Sequence, residues 1–277
     1  MSASVLSPAR LLRLAVLAAA ALATLAPYLW MLSVAAKPRD EIFSSTFSLL
    51  PHHWALSDNL AEAFHRVPIG MLLLNGVVVC GLILAVQVAV AIPCAYALAK
   101  LRFPAARLMM AFVLLGLLVP VHATALPLYV VFRRLDLINT YTGLVAPFSI
   151  SVFGIFLFMQ FFRTLPDDLL DAARLDGMSE AGIVARVVVP NAWPAVTAFA
   201  IFSVVAHWND LFWPLIVVTD SRMATPPLGL FAFRAAESGS DYGALMAATL
   251  VITLPLVIAF LAAQRRFVEG ITMTGLK

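Results

Sequence analysis

Two groups of residues in this sequence have the types and spacing to do chemistry. The first is the segment 163–190, RTLPDDLLDAARLDGMSEAGIVARVVVP, with three arginines and five carboxylates in a chain that is 62% hydrophobic and 12% charged. The second is His207-Trp208-Asn209-Asp210-Leu211-Phe212-Trp213, which sets hydrogen-bonding groups between aromatic rings inside an apolar run. Neither forms a reactive constellation. A phosphate-binding loop needs G-x-x-x-x-G-K-[ST], because its lysine must reach the phosphates and its hydroxyl the magnesium. Lys37 is followed by Pro38, Lys100 by Leu101, and Lys277 is the last residue, so no lysine stands in that pattern. H-E-x-x-H and G-x-S-x-G are absent too, which leaves no metalloprotease or hydrolase signature. His52 and His53, ahead of Trp54, read as solvated loop residues, and Cys80 and Cys94 read as small buried hydrophobes without metal or disulfide spacing.

The 163–190 segment keeps helical spacing despite its charge. Pro166 can open a helix, and Asp167 and Asp168 favour the positive end of its dipole. Leu169, Ala172 and Ala173 are predicted on one face, and Gly177 can take the left-handed conformation that ends the helix. Ser179 is a cap for a second short helix, limited by Pro190. Small residues at the centre let another backbone approach closely. An amphipathic loop resting on lipid headgroups would favour Lys and Arg with large apolar anchors. Here the carboxylates Asp167, Asp168, Asp171, Asp176 and Glu180 outnumber Arg163, Arg174 and Arg186. That composition points to a protein socket, and the missing phosphate loop means that any ATP energy must come from another polypeptide.

The elements that must position these groups are membrane helices. A spanning helix needs about 20 apolar residues. Stretches free of Asp, Glu, Lys and Arg cover 14–36, 67–99, 108–132, 137–162, 187–209 with 211–219, and 242–264. Six spans are therefore expected, at about 14–36, 70–98, 108–130, 141–162, 193–218 and 242–264. The 67–99 run is too long for one straight spanning helix, so part of it is expected in a turn or at an interface. The first span resembles a secretory signal in its flanking Arg10 and Arg13, but it exceeds a typical apolar core of about 7–15 residues and reads as a retained helix. With both termini inside, the inner segments hold Arg10, Arg13, Lys100, Arg102, Arg107, Arg163, Arg174, Arg186, Arg265, Arg266 and Lys277. The outer ones hold Lys37, Arg39, Arg66, Arg133, Arg134, Arg222 and Arg234. That excess of basic residues places both termini in the cytoplasm, with Arg133 and Arg134 snorkelling or on a short outer helix. The net charge of +3 gives no reason to expect nucleic acid.

Polar groups inside spans face a bundle interior or a cavity. His207, Asn209, Asp210 and Trp213 in the fifth span, and Asn75 in the second, are therefore candidates either for contact with a solute or for an interhelical polar clamp. Prolines recur within the spans as well, at 93, 120, 127, 147, 214 and 255. They suit kinked helices around a pathway, and are also common in membrane helices generally.

Asp171-Ala172-Ala173, Gly177 after three residues, and Val187-Val188-Val189-Pro190 after nine more resemble the EAA motif of binding-protein-dependent ABC importers. The family pattern is E-A-A-x3-G-x9-I-x-L-P, from which Asp171, Val187 and Val189 depart conservatively. The likeness continues through Ala95 to Pro104, Asn139-Thr140-Tyr141, Trp208 to Pro214, and Gln264 to Gly270. It is closest to the second, six-span permease of carbohydrate importers, with a related branch that imports glycerol 3-phosphate. The resemblance implies an all-α membrane protein: one ABC-transporter transmembrane domain over 1–277, six transmembrane helices, and a cytoplasmic coupling-helix loop between the fourth and fifth spans. It implies a multi-pass subunit of a bacterial cytoplasmic membrane that is not itself an enzyme. Its partners would be a second permease subunit, an ABC ATPase dimer and an extracytoplasmic solute-binding protein. ATP and Mg would sit on the ATPase, with no cofactor in this chain. Asp171, Ala172, Ala173, Asp176, Gly177 and Pro190 would contact or shape the ATPase socket, with Ala172 and Gly177 packing closely in its cleft. An ion-coupled secondary transporter would carry its own ion-coupling site, for which Asp210 alone stands; a membrane enzyme would need a reactive cluster, which is absent; a structural assembly subunit leaves the 163–190 segment unexplained.

Overall fold

The computed structural model describes residues 8–44, 48–233 and 241–275. Arg234 and Lys277 of the charge count lie outside them. The regular elements of the described residues are all helical. The chain divides into two compact units, Met1–Ile69 with Leu230–Thr253, and Gly70–Gly229 with Leu254–Lys277.

The first unit is built on α1 (Pro8–Ala35), α2 (Arg39–Ile42) and α3 (Leu56–Arg66). Residues 9–30 are exposed around the whole circumference of α1, a surface suited to hydrocarbon and not to water. Its end is pinned: Asn59 Nδ2 donates to the carbonyls of Ala35 and Lys37, both at 2.9 Å. Lys37, buried, donates to the Ser48 carbonyl.

The second unit contains α4 (Ile69–Lys100), α5 (Ala106–Gly116), α6 (Val121–Arg134), α7 (Tyr141–Val145) and α8 (Val152–Arg163). The charged segment follows as α9 (Asp167–Leu175), α10 (Glu180–Ile183), a π-helical turn over Val184–Val188 and α11 (Val189–Asn191). Next come α12 (Trp193–Trp208), α13 (Phe212–Val217) and α14 (Pro226–Gly229). The last helix, α15 (Tyr242–Gly275), contributes residues to each unit.

Among the described residues, three helices are long and apolar enough to cross a membrane: Ala9–Ala35, Ile69–Lys100 and Tyr242–Gln264. Two bent pairs meet the same requirement together, Tyr141–Phe148 with Val152–Arg163 at 48° and Glu180–Asn191 with Trp193–Trp208 at 78°. The expected break in the 67–99 run does not occur. α4 is one helix of 32 residues with Pro93 inside it. Proline costs one backbone hydrogen bond, but ending the helix in an apolar surrounding would leave several backbone groups without partners. The stretch expected as a span over 108–130 is divided instead. α5 ends at Gly116, the chain tightens through bonds from Leu117 N to Leu114 O and from Leu118 N to Leu115 O, and Pro120 stands extended before α6. Arg133 and Arg134 form the last turn of α6 and are exposed.

Two apolar clusters organise this unit. One joins Ala91, Ala95 and Tyr96 of α4 to Phe158 and Phe162 of α8, Leu170 and Ala173 of α9, Ile183, and Phe199 of α12. The other joins Val79 and Ile83 of α4 to Phe132 of α6, Leu144 of α7, and Trp213 and Val217 of α13. α4 thus threads both cores, with Gln87 between them.

Candidate functional site

The 163–190 segment folds as its capping residues dictate. α9 begins after Pro166 with Asp167 and Asp168 in its first turn. It ends on Gly177, whose φ is +79°, a conformation that costs a non-glycine residue about 1–2 kcal/mol. Gly177 N donates to Arg174 O at 3.0 Å and Met178 N to Ala173 O at 3.1 Å, the paired bonds of a Schellman end. Ser179 Oγ accepts from Gly182 N and starts α10. The π-turn then leads through Pro190 to the 78° bend before α12.

The predicted single face is split. Leu170 and Ala173 face the core, while Leu169 is 40% and Leu175 90% exposed and Ala172 is exposed too. The expected grouping of Leu169, Ala172 and Ala173 fails because Ala173 turns inward under the Schellman end. The outward surface consists of Leu169, Ala172, Leu175 and Asp176, with Asp171 at its edge. A Cβ at Gly177 would meet nothing within 4 Å.

Two contacts fix this surface to the Lys100 end of α4. Lys100, its side chain 7% exposed, donates from Nζ to Leu165 O and to Asp167 Oδ1, both at 2.6 Å. Arg174 donates to Asp171 Oδ1 at 2.7 Å, to Glu180 Oε1 at 2.9 Å and to the Tyr96 hydroxyl at 3.4 Å. Tyr96 in turn donates to Glu180 Oε2 at 2.5 Å. The hydrogen bond from Arg174, then that from Tyr96, holds the Glu180 carboxyl below its ordinary range. The Lys100 ammonium does the same to Asp167. A carboxylate with a depressed value stabilises the fold above its unfolded-state pKa and loses that contribution as pH falls through the depressed one. The loop should therefore stay anchored through neutral pH and loosen only below the ordinary glutamate value of 4.5. Protection factors for hydrogen exchange of residues 167–183, corrected for the intrinsic pH dependence of exchange, should be the same at pH 7 and pH 5 and fall only below pH 4.5. Strong deprotection already at pH 5 would contradict this.

The second group is brought together only in part. His207, Asp210 and Trp213 line a cavity of about 680 Å³ with Gln87 of α4 and His122 of α6. His207 Nδ1 lies 2.7 Å from Ser203 O, so the proton is on Nδ1 and Nε2 is left as an acceptor. Asp210 Oδ1 accepts from the backbone of Phe212 at 3.0 Å and Trp213 at 3.4 Å, capping α13. Trp213 is buried at 4% exposure, and its Nε1 donates to Gly143 O at 2.9 Å. Gln87 ties the cavity wall: Nε2 donates to Phe148 O at 2.9 Å and Oε1 accepts from Ser203 at 2.7 Å.

Asn75 and Asn209 stand elsewhere. Asn75 is 2% exposed; its Nδ2 donates to Arg222 O and Ala224 O at 2.9 Å, and its Oδ1 accepts from Tyr141 at 2.7 Å. Asn209 donates to Val205 O on its own helix. Sequence reasoning missed Gln87, His122, Tyr96, Glu180 and Leu175. Gln87 carried a usable signal, an amide within a long apolar run, and Lys100 was weighed only as a charge.

Bent helices around a polar cavity, with a charged helical loop fastened to one end of the longest helix, define an integral membrane transport component. The chain belongs to the binding-protein-dependent transport system inner membrane component family, whose family model matches residues 87–273. It is 34% identical over 241 residues to the sn-glycerol-3-phosphate transport system permease protein UgpE of Pectobacterium atrosepticum, covering 84% of this chain and 85% of that one. It is also 34% identical over 249 residues to the diacetylchitobiose uptake system permease protein NgcG of Streptomyces coelicolor, covering 89% and 82%. A chain of a bacterial ABC transporter involved in the import of the acidic polysaccharide alginate shares its fold, with a TM-score of 0.81 over 93% of this chain and 95% of that one at 20% identity.

Proposed function

We propose that this chain is one of two permease subunits of an ABC importer for a sugar or oligosaccharide, with both termini in the cytoplasm. It would cross the membrane six times, counting α5–α6 as one broken span, the bent pair α7–α8 as another, and α12 with α13 as the fifth. α9 serves as the coupling helix and docks in a cleft of a separate ATPase, while a binding protein delivers solute from outside. Relatives named for diacetylchitobiose and arabinooligosaccharides support a sugar, and the relative named for sn-glycerol 3-phosphate supports the alternative, a phosphorylated polyol.

One observation carries this reading. α9 is held rigidly by Lys100, Tyr96 and Glu180, yet turns Leu169, Ala172 and Leu175 outward. Apolar side chains presented on a braced helix suit a partner surface. In the alternating-access cycle, moving a population from 1:99 to 99:1 needs about 5.5 kcal/mol of differential binding. A braced helix transmits such a bias where a floppy loop would dissipate it. The test is reconstitution with the second permease, the ATPase and the binding protein. ATP hydrolysis should depend on solute and require both permeases, whereas solute accumulation without any ATPase, driven by an ion gradient, would sink the proposal.

A further inference from the structure

Resting on that reading, we infer that the 680 Å³ cavity selects an uncharged, hydroxyl-rich solute and turns away anions, with Asp210 as the discriminating residue. The cavity lining sets this selection. It includes no lysine or arginine among the described residues, and Asp210 supplies its only carboxylate. Asp210 and His207 offer acceptors to the cavity, while His122, Thr124 and Ser151 add groups able to donate or accept. The Asp210 carboxylate accepts, and so does His207 Nε2, because Nδ1 is committed to Ser203 O. Gln87 has spent its oxygen on Ser203 and one amide hydrogen on Phe148.

A solute that satisfies such a surface must bring donors. Sugar hydroxyls do; a phosphate ester or a uronate brings acceptors and negative charge instead. The aromatic lining fits the same class. His122 lies 4.4 Å from Phe212 and Phe148 lies 4.8 Å from His207, centroid to centroid. With Phe153 these rings supply flat apolar faces for the C–H side of a pyranose.

Electrostatics sets the size of the discrimination. A single negative charge about 6 Å from a carboxylate is disfavoured about 100-fold at an effective dielectric constant of about 20. A relative named for sn-glycerol 3-phosphate and one named for a neutral chitobiose derivative are each 34% identical to this chain. Overall identity therefore does not choose between the two solutes, and the charge of the cavity does.

The test separates the cavity from the binding protein. The assembled importer, in nanodiscs without binding protein, is titrated with tritiated neutral disaccharides and with tritiated sn-glycerol 3-phosphate. A neutral sugar should bind at least about 30-fold more tightly than the phosphate ester. D210N keeps an oxygen to cap α13, and should cut that ratio at least tenfold by admitting the anion. Glycerol 3-phosphate binding as tightly as any sugar, an unchanged ratio in D210N, or no solute binding at all would each overturn the inference. Solute-dependent ATP hydrolysis with the binding protein restored reports on the importer reading separately. If hydrolysis couples normally while the ratio is wrong, only the cavity assignment fails.

Discussion

Replacing Leu175 with aspartate should lower solute-dependent ATP hydrolysis and uptake at least tenfold while leaving the amount of protein in the membrane unchanged. Leu175 is 90% exposed at the end of α9, so it makes almost no contribution to the fold of the chain itself. Buried in an ATPase cleft, a leucine side chain contributes about 1.5–3 kcal/mol, which is about 10- to 150-fold in affinity. A carboxylate in its place adds the cost of desolvating a charge. Leu175→Met keeps the volume and should retain most activity. Gly177 is a poorer probe, because its φ of +79° means that a bulky residue strains the end of α9 before any partner is considered. Normal coupling in the aspartate variant, measured as nucleotide turnover at matched protein levels, would remove α9 as the docking element.

The largest stability loss among the polar residues should come from Asn75→Leu. The Asn75 side chain closes three hydrogen bonds, to the carbonyls of Arg222 and Ala224 and from the hydroxyl of Tyr141. Leucine is of similar size but leaves all three partners unpaired. A stranded buried group costs about 1–3 kcal/mol; the bond to Ala224 is buried and the other two are part-buried, which brings the sum to about 3–5 kcal/mol. The thermal midpoint of the detergent-purified protein should fall by many degrees. Asn75→Leu combined with Tyr141→Phe should be less destabilised than the two single changes added together, because one stranded group has been removed. A midpoint within a degree of the parent protein would mean that these bonds hold nothing together. A solute-contacting asparagine would show the opposite pattern, with transport impaired and stability kept.

Local signals were legible in the sequence and long-range ones were not. Pro166, Gly177 and Ser179 marked the ends of α9 and α10 because capping is settled within a few residues. The outward face of α9 was misjudged because leucine and alanine occur on both of its sides, so apolar spacing alone did not fix which side is buried. The same weakness governs the spans. In lipid a helix is apolar all round, so run length replaces periodicity and says little about where Gly116 and Pro120 interrupt a stretch or why α4 continues past Pro93. His207, Asp210 and Trp213 stood close together in sequence and share a cavity. Asn75 looked equivalent from composition alone, and only the placement of Tyr141, Arg222 and Ala224 around it distinguishes it. Tyr96 and Glu180 are 84 residues apart, and neither carries a mark of the other.

The unbroken course of α4 has a mechanical consequence. At about 1.5 Å per residue its 32 residues measure about 48 Å, well beyond a hydrocarbon core of about 30 Å. Three fastenings divide the rod: Asn75 towards one end, Gln87 at the cavity wall, and Tyr96 with Lys100 at the other. Gln87 lies about 18 Å and Lys100 about 37 Å from Asn75 along the axis. With Asn75 as fulcrum, a tilt of about 10° that carries the Lys100 end about 6 Å shifts the cavity wall about 3 Å. The helix is then a lever with a reduction of about two to one, trading a long stroke at the loop for a shorter, more forceful one at the cavity. Pro93 lies between Gln87 and Lys100, where any compliance in that lever would be concentrated.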